Sequence, residues 1–218
     1  MIWKFLCCWL FLMMLLIACR SEGTAEKNHP LQKTDLVELI QLDPSFRLDI
    51  RYATTNNFTG RAVYSEARAF LQRPAAEALM RAHQTLKKEG YGLMIFDAYR
   101  PMSVVRIFWD VMPPDKKQFV VDPANGSPHA SGCAADLTLF DLKTGQTVDM
   151  PSEFDEWTAR SASNYPGGSK KSRHLRDLLR AAMEAEGFLH AELEWWHFTY
   201  KDWQEYPMSD IPFSKIYH

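Results

Sequence analysis

Hydrophobic and polar residues alternate along several short stretches of this chain, as they do in half-buried strands. The stretch 36–42 is separated from 46–52 by the turn-forming residues Asp43, Pro44 and Ser45. Other runs are more uniformly apolar, which is typical of strands that are buried on both faces. The pattern predicts strands over residues 36–42, 46–52, 92–98, 134–140 and 188–200.

A helical repeat appears in three other segments. In the first of them, Ala78, Leu79, Ala82 and Leu86 fall on one face, and Gly90 provides a C-terminal stop. Proline stands in the first turn of two segments, where its missing N–H is not needed. Helices are predicted over residues 74–89 and 101–111, and from Ser169 or Ser172 to Glu186 with Gly187 as the stop.

Strands and helices follow one another without a regular β-α alternation, and this favours the α+β class. Residues 53–60 and 112–127 have the composition of loops, with Gly in both and Pro in the second. No internal repeat, low-complexity segment or second domain boundary is found. One domain is therefore expected over residues 34–218.

The N-terminus has the pattern of a bacterial export signal. Residues 1–4 carry one positive charge, and residues 5–17 are an apolar run too short to span a membrane. Leu-Ile-Ala-Cys at 16–19 resembles the lipobox of bacterial lipoproteins, in which the chain is cut before a cysteine that becomes lipidated. The alternative is an ordinary signal peptide with a chance cysteine. We expect a signal peptide over 1–18, a lipid on Cys19 and a polar tether to residue 33, which together place the domain on the periplasmic side of the cell envelope.

Composition narrows the function further. The 25 basic and 27 acidic residues are nearly balanced, so nothing indicates a nucleic-acid partner. Of the four cysteines, Cys7 and Cys8 leave with the signal and Cys19 is lipidated, so only Cys133 stays free. No intrachain disulfide is therefore expected.

Four residues carry the candidate chemistry, namely His129, Asp136, Glu194 and His197. Two imidazoles and one carboxylate can hold a zinc ion with a position left open, and a second carboxylate can serve as general base. A lone histidine in an apolar setting is more often structural, but here each has a carboxylate at short range. His83 and His174 lie in helical patterns among charged residues and are expected to be solvated.

The spacing of these residues requires irregular backbone. His129 and Asp136 are seven residues apart and would face opposite ways on one strand, but Gly132 permits a bend between them. Glu194 and His197 are three apart, which predicts a bulge or a strand end at Trp195 or Trp196. The alternative for this segment is a Trp-rich core strand with charges at its edge.

A family resemblance extends over residues 36–200. Ser-x-His-x-x-Gly-x-Ala-x-Asp at 127–136, followed by Glu-x-x-His at 194–197, resembles the zinc D,D-peptidases that share a fold with the hedgehog signalling domain. Segments 49–60, 96–101, 154–156 and 194–198 resemble one branch, the D-alanyl-D-alanine dipeptidases of the vancomycin-resistance type. The fold that this implies has a central, mostly antiparallel sheet with flanking helices.

The resemblance also implies a role for each residue at a matching position. It makes His129, Asp136 and His197 the ligands of one zinc ion per chain, Glu194 the general base and Arg100 the group that stabilises the oxyanion. Asp155 would hold the ammonium of a free D-Ala-D-Ala dipeptide, and Ser127 would help to bind it. The best-known members are cytoplasmic, whereas this chain has a lipoprotein signal, which favours a role in cell-wall metabolism outside the inner membrane.

Two other functions are weighed against the dipeptidase. A D,D-carboxypeptidase or peptidoglycan endopeptidase of the same metal fold would need a groove open on the amino side of the substrate. A non-catalytic zinc module that binds the cell wall would need neither Glu194 nor Arg100. The acid at Asp155 favours the dipeptidase, because it can neutralise a free α-ammonium. No protein partner is implied.

Overall fold

A computed structural model describes residues 31–216. The predicted signal peptide, Cys19 and most of the predicted tether lie outside these residues, as do Tyr217 and His218. No helix within 31–216 is long and apolar enough to cross a membrane.

Seven strands and four α-helices make up the regular structure of the described residues. The strands are β1 (Leu36–Glu38), β2 (Arg47–Leu48), β3 (Phe70–Gln72), β4 (Tyr91–Asp97), β5 (Ala134–Asp141), β6 (Phe188–His190) and β7 (His197–Tyr200). The helices are α1 (Leu39–Leu42), α2 (Arg73–Lys88), α3 (Met102–Val111) and α4 (Lys170–Ala185). Six short 3₁₀ helices lie in the connections, at Arg51–Ala53, Pro114–Phe119, Pro123–Asn125, Ala159–Ser161, Trp203–Glu205 and Phe213–Lys215.

Five strands form the central sheet, in the order β2-β4-β5-β7-β6. Only the β2–β4 pair is parallel, and the other three pairs are antiparallel. The remaining strands, β1 and β3, form a separate antiparallel pair. The prediction of an α+β fold with a mostly antiparallel sheet is confirmed.

The two long helices pack together and cover the sheet. Helix α2 contacts β4 and α4, and α4 contacts β5 and β6. Strand alternation places Ala135, Leu137 and Leu139 on the face of β5 opposite Asp136, and all three belong to the main hydrophobic core with Leu79 of α2. One face of β5 thus packs in the core, and Asp136 projects from the other face.

The helix boundaries follow the predicted signals closely. Pro74 lies in the first turn of α2, and Gly90 follows the helix with a φ of 87°. Of the two candidate caps for α4, Ser169 is the one that acts, because its hydroxyl accepts a hydrogen bond from the backbone N–H of Ser172 at 2.9 Å.

Three strand predictions were too long. The 36–42 stretch is a strand only over Leu36–Glu38 and then turns into α1. The 46–52 stretch keeps two strand residues before the 3₁₀ helix Arg51–Ala53. The 188–200 stretch is two antiparallel strands, β6 and β7, because the connecting loop buries Trp195 and Trp196 in the core and thus satisfies the apolar pattern without strand pairing.

The prediction that His83 is solvated was wrong, whereas His174 is exposed as expected. His83 is 0% exposed and stacks on Phe46 with ring centroids 4.4 Å apart. Its Nδ1 accepts the backbone N–H of Leu93 at 3.0 Å, which requires the neutral imidazole, and its Nε2 lies 2.9 Å from the Ser45 hydroxyl. Burial lowers the pKa of His83 to about 4.

Stability should therefore depend on pH through His83. Above its unfolded pKa of 6.5 both states are neutral, but as the pH falls from 6.5 toward about 4 the unfolded chain takes up a proton that the folded chain refuses. The free energy of unfolding should fall over this window by on the order of 3 kcal/mol from this group. Urea unfolding of the chelator-treated protein at about pH 7 and about pH 4 measures the change.

His83→Gln should flatten this pH dependence, while the exposed His174→Gln should keep the wild-type slope. Equal slopes in His83→Gln and wild type would contradict the assignment.

Candidate active site and metal centre

The register of three neighbouring strands brings the first site residues together. Asp136 of β5 pairs directly with His197 of β7 on one side and with Asp97 of β4 on the other. Residues directly opposite one another on adjacent strands project from the same face. The polar face of the sheet therefore carries Asp97, Asp136 and His197 in one row.

His129 reaches this row from the turn that precedes β5. Gly132 has a φ of 76°, and a Cβ at this position would lie 2.5 Å from a methyl carbon of Leu36, so the bend requires glycine. The Nδ1 atom of His129 donates to the carbonyl of Ala98 at 2.6 Å. This bond fixes the ring and leaves its Nε2 atom toward Asp136 and His197.

Three ligand atoms converge at this point. The Nε2 of His129 lies 3.2 Å from the Nδ1 of His197 and 3.4 Å from the Oδ1 of Asp136, and the last two atoms are 2.9 Å apart. A tetrahedral zinc ion with bonds of about 2.0–2.1 Å spaces its ligand atoms by roughly 3.3 Å. Within residues 31–216, no other group of three His, Cys, Asp or Glu side chains converges in this way. The geometry therefore fits a small divalent metal.

The surroundings of His197 and Asp136 suit metal binding. The Nε2 of His197 lies 3.0 Å from the hydroxyl of Thr199, which leaves Nδ1 as the metal-facing atom. Burial lowers the pKa of His197 even though Asp136 opposes this, so its imidazole is held neutral. Burial alone would raise the pKa of Asp136, but the contacts with His129 and His197 outweigh it and keep that pKa well below its usual range.

Arg100 is fixed by a carboxylate that received no role from the sequence. Asp97 is 1% exposed, and its Oδ2 accepts from the Nε of Arg100 at 2.9 Å and lies 2.8 Å from its Nη2. The Oδ1 of Asp97 accepts from the Tyr64 hydroxyl at 2.7 Å. The guanidinium also lies over the ring of Phe108, 4.6 Å from its centroid. Arg100 is thus held at the edge of the metal site, 3.5 Å from Asp136.

Glu194 lies in the loop between β6 and β7, so the predicted strand end is present. The following residues fix this loop: Trp195 donates its indole N–H to Ser152 at 2.9 Å and its backbone N–H to Ser161 at 2.8 Å. Burial raises the pKa of Glu194 well above its usual value, and the charges of Asp136 and Asp155 add to the rise.

Asp155 lies in a loop, and its own φ of 58° is in the left-handed region. Its Oδ2 accepts a hydrogen bond from the Tyr52 hydroxyl at 2.8 Å. Burial raises the pKa of Asp155 to about 8 despite this bond, and the charge of Asp136 contributes to the rise. A nearby cation would reverse this shift, because it favours the ionised form.

One cavity of about 260 Å³ contains all seven predicted catalytic, ligand and substrate residues of the described chain: Arg100, Ser127, His129, Asp136, Asp155, Glu194 and His197. Ser127 is fully buried, and Cys133 is buried but outside the ligand cluster. Arg100 is the one Arg or Lys among the described residues that line the cavity, and it is paired with Asp97. The carboxyl groups of Asp136, Glu194 and Asp155 therefore outnumber the basic side chains of the lining. Such a site favours cationic occupants.

Sequence reasoning gave no role to Asp97, Tyr52 or Trp157, although all three belong to the site or support it. Asp97 could have been found, because an acid three residues before an arginine at a strand end is a simple pairing signal. Tyr52 and Asp155 are 103 residues apart in the chain, and no local sequence pattern predicts their hydrogen bond.

Comparison with known proteins identifies the family of this chain. The family model Peptidase_M15, described as D-ala-D-ala dipeptidase, matches residues 32–215. The D-alanyl-D-alanine dipeptidase of Escherichia coli (strain K12) is 37% identical over 181 residues, which cover 83% of this chain and 92% of that protein. The enzyme of the same name from Enterococcus faecium is 36% identical over 185 residues, or 77% of this chain and 91% of that protein.

A solved structure, that of the LdcB LD-carboxypeptidase, is more distantly similar. It is 20% identical with a TM-score of 0.43, over 79% of this chain and 70% of that chain. The family match spans nearly all the described residues and carries the classification by itself. This chain belongs to the D-Ala-D-Ala dipeptidase family of the M15 peptidases.

Proposed function

We propose that this protein hydrolyses the free dipeptide D-Ala-D-Ala to two D-alanines in cell-wall metabolism, with one zinc ion held by His129, Asp136 and His197. The observation that carries the proposal is the triangle of ligand atoms with edges of 2.9 to 3.4 Å, which opens into the same cavity as Glu194 and Arg100.

The roles of the side chains follow from their positions. When bound, zinc supplies a Lewis acid that makes water more acidic and polarises a carbonyl group. Glu194 takes the proton of the attacking water and passes it to the leaving amino group. Arg100, fixed by Asp97, donates to the carbonyl oxygen as negative charge develops on it. Ser127, which is buried and lines the cavity, contributes to substrate binding.

Asp155 and the size of the cavity favour a free dipeptide. The cavity of about 260 Å³ is small beside the roughly 300–1,000 Å³ of sites for drug-sized ligands. The α-ammonium of a dipeptide supplies the cation that Asp155 lacks, and Tyr52 orients the carboxylate to receive it.

Metal content and turnover should separate the ligands from the base. Wild-type protein should carry one zinc per chain by elemental analysis, and His197→Ala should lose most of it. Glu194→Gln should keep the zinc but lose roughly 10²–10⁴-fold in kcat, because a general base is not a ligand. His174→Ala, an exposed control, should keep both. Full zinc retention in His197→Ala, or its loss in Glu194→Gln, would refute these roles.

Asp155 should make the enzyme selective for substrates with a positively charged α-ammonium. N-acetyl-D-Ala-D-Ala should be cleaved at least about 10²-fold more slowly than D-Ala-D-Ala, since acetylation removes the cation and leaves Asp155 unpaired. Asp155→Asn should lower kcat/KM for the free dipeptide by about 10- to 100-fold and so narrow the gap between the two substrates. Similar kcat/KM values for both substrates in the wild type would instead favour the D,D-carboxypeptidase or endopeptidase.

The location of the enzyme is also a proposal, supported by the lipobox-like residues 16–19. We propose a lipid on Cys19 that anchors the domain on the periplasmic side of the envelope. Cys19→Ser should move the protein from the membrane fraction of a bacterial host to the soluble fraction, whereas Cys133→Ser should leave it with the membranes. Persistence of Cys19→Ser in the membrane fraction would contradict the anchor.

A further inference from the structure

One short loop beside the cavity concentrates unfavourable features. Asp155 and Trp157, with φ angles of 58° and 47°, are the only non-glycine residues of 31–216 in the left-handed region. The indole N–H of Trp157 is buried and has no hydrogen-bond partner, a state shared within 31–216 only by the hydroxyl of Thr138. The left-handed conformation is especially rare for a residue as bulky as tryptophan.

The left-handed backbone and the unpaired indole N–H each cost stability. A glycine or asparagine at position 157 would relieve the backbone, but it would have no ring to pack against Phe58 and Phe119. Strained backbone and unpaired buried groups persist mainly where function requires a particular side chain in a particular place. The position of Trp157 next to the cavity indicates that its ring serves the substrate site.

The ring of Trp157 contacts aromatic residues from two other connecting segments of the chain. It is stacked on Phe119 with centroids 6.2 Å apart, and the edge-on contact with Phe58 measures 4.7 Å. We call Phe58, Phe119 and Trp157 the aromatic wall, and all three residues line the cavity. Lys116 also links its segment to that of Trp157, because its Nζ donates a hydrogen bond to the carbonyl of Trp157 at 3.0 Å.

The aromatic wall lies beside the carboxylate that we assign to the substrate ammonium. Asp155 precedes Trp157 by two residues in the same loop, and both line the cavity. In a longer peptide, the residues before the D-Ala-D-Ala unit are attached where the dipeptide has its ammonium. They would therefore leave the cavity near Asp155. Because Trp157 shares this loop with Asp155 and lines the same cavity, we expect the extension to meet the wall, and moving the ring would break its contacts with Phe58 and Phe119.

We infer that Trp157 is a specificity-determining residue, whose ring closes the amino side of the cavity and excludes peptides that are extended or acylated at their N-terminus. The inference rests on the proposed dipeptidase function and deepens it. Asp155 would select by charge, and Trp157 by space. A substrate built with a free ammonium but one residue too long tests the second kind of selection without the first.

Trp157→Ala and its matched control Trp157→Phe provide the test, as zinc-loaded enzymes on three substrates. These are D-Ala-D-Ala, N-acetyl-D-Ala-D-Ala and the tripeptide L-Ala-D-Ala-D-Ala with its amino group free. In Trp157→Ala, kcat/KM for the two longer substrates relative to D-Ala-D-Ala should rise by about tenfold or more, since a steric block has been removed. In Trp157→Phe the ratios should stay near those of the wild type, because a ring still fills the position.

Unchanged ratios in a Trp157→Ala enzyme with wild-type melting temperature and zinc content would overturn the inference. If that variant does not fold, Phe119→Ala removes the stacking partner of the ring and is judged by the same ratios. The proposed function and the role of Trp157 are refuted by different results. A zinc-loaded wild type without activity on D-Ala-D-Ala refutes the proposed function, whereas an active wild type with unmoved ratios in the variants refutes only the role of Trp157.

Discussion

The site depends above all on the register of β4, β5 and β7. Pairing sets Asp136 beside His197 on one strand and beside Asp97 on the other, so backbone hydrogen bonds fix the spacing of the ligands before any metal binds. A shift of one residue in either pair would send a ligand to the opposite face. The apolar residues that alternate with Asp136 prevent such a shift, because Ala135 and Leu137 must stay in the core.

This arrangement gathers buried carboxylates at a cost in stability. Asp97 is compensated by Arg100 and Tyr64, and Asp136 by His129 and His197. Burial and neighbouring negative charges instead raise the pKa of Glu194 and of Asp155, so ionising either of these two groups opposes folding in the absence of a cation. A divalent metal at the ligand triangle and an ammonium at Asp155 would each relieve part of that cost, so occupancy and stability are expected to be coupled.

The sequence predicted features that depend on residues within one short segment, and it missed features that depend on contacts between distant segments. The helices and their caps lie within short segments, and they were predicted nearly to the residue. The ligand motifs are also local, and the side chains that they name converge in the structure. The 188–200 segment was misread as one strand because Trp195 and Trp196 are buried by loop packing, which mimics a strand pattern. His83, and the contact of Tyr52 with Asp155, depend on partners far away in the chain, and no local pattern contains that information.

The structure separates the chemistry from the selection of substrate. Three of the central residues lie on paired strands, and His129 is tied to the carbonyl of Ala98 just after β4, so the metal site is rigid. The cavity wall is instead built from loops at Phe58, Phe119 and Trp157, which contact each other through side chains. Loops tolerate substitution better than paired strands do. Changes in these loops could therefore alter the length of peptide accepted while the sheet, and the hydrolytic centre on it, stayed the same.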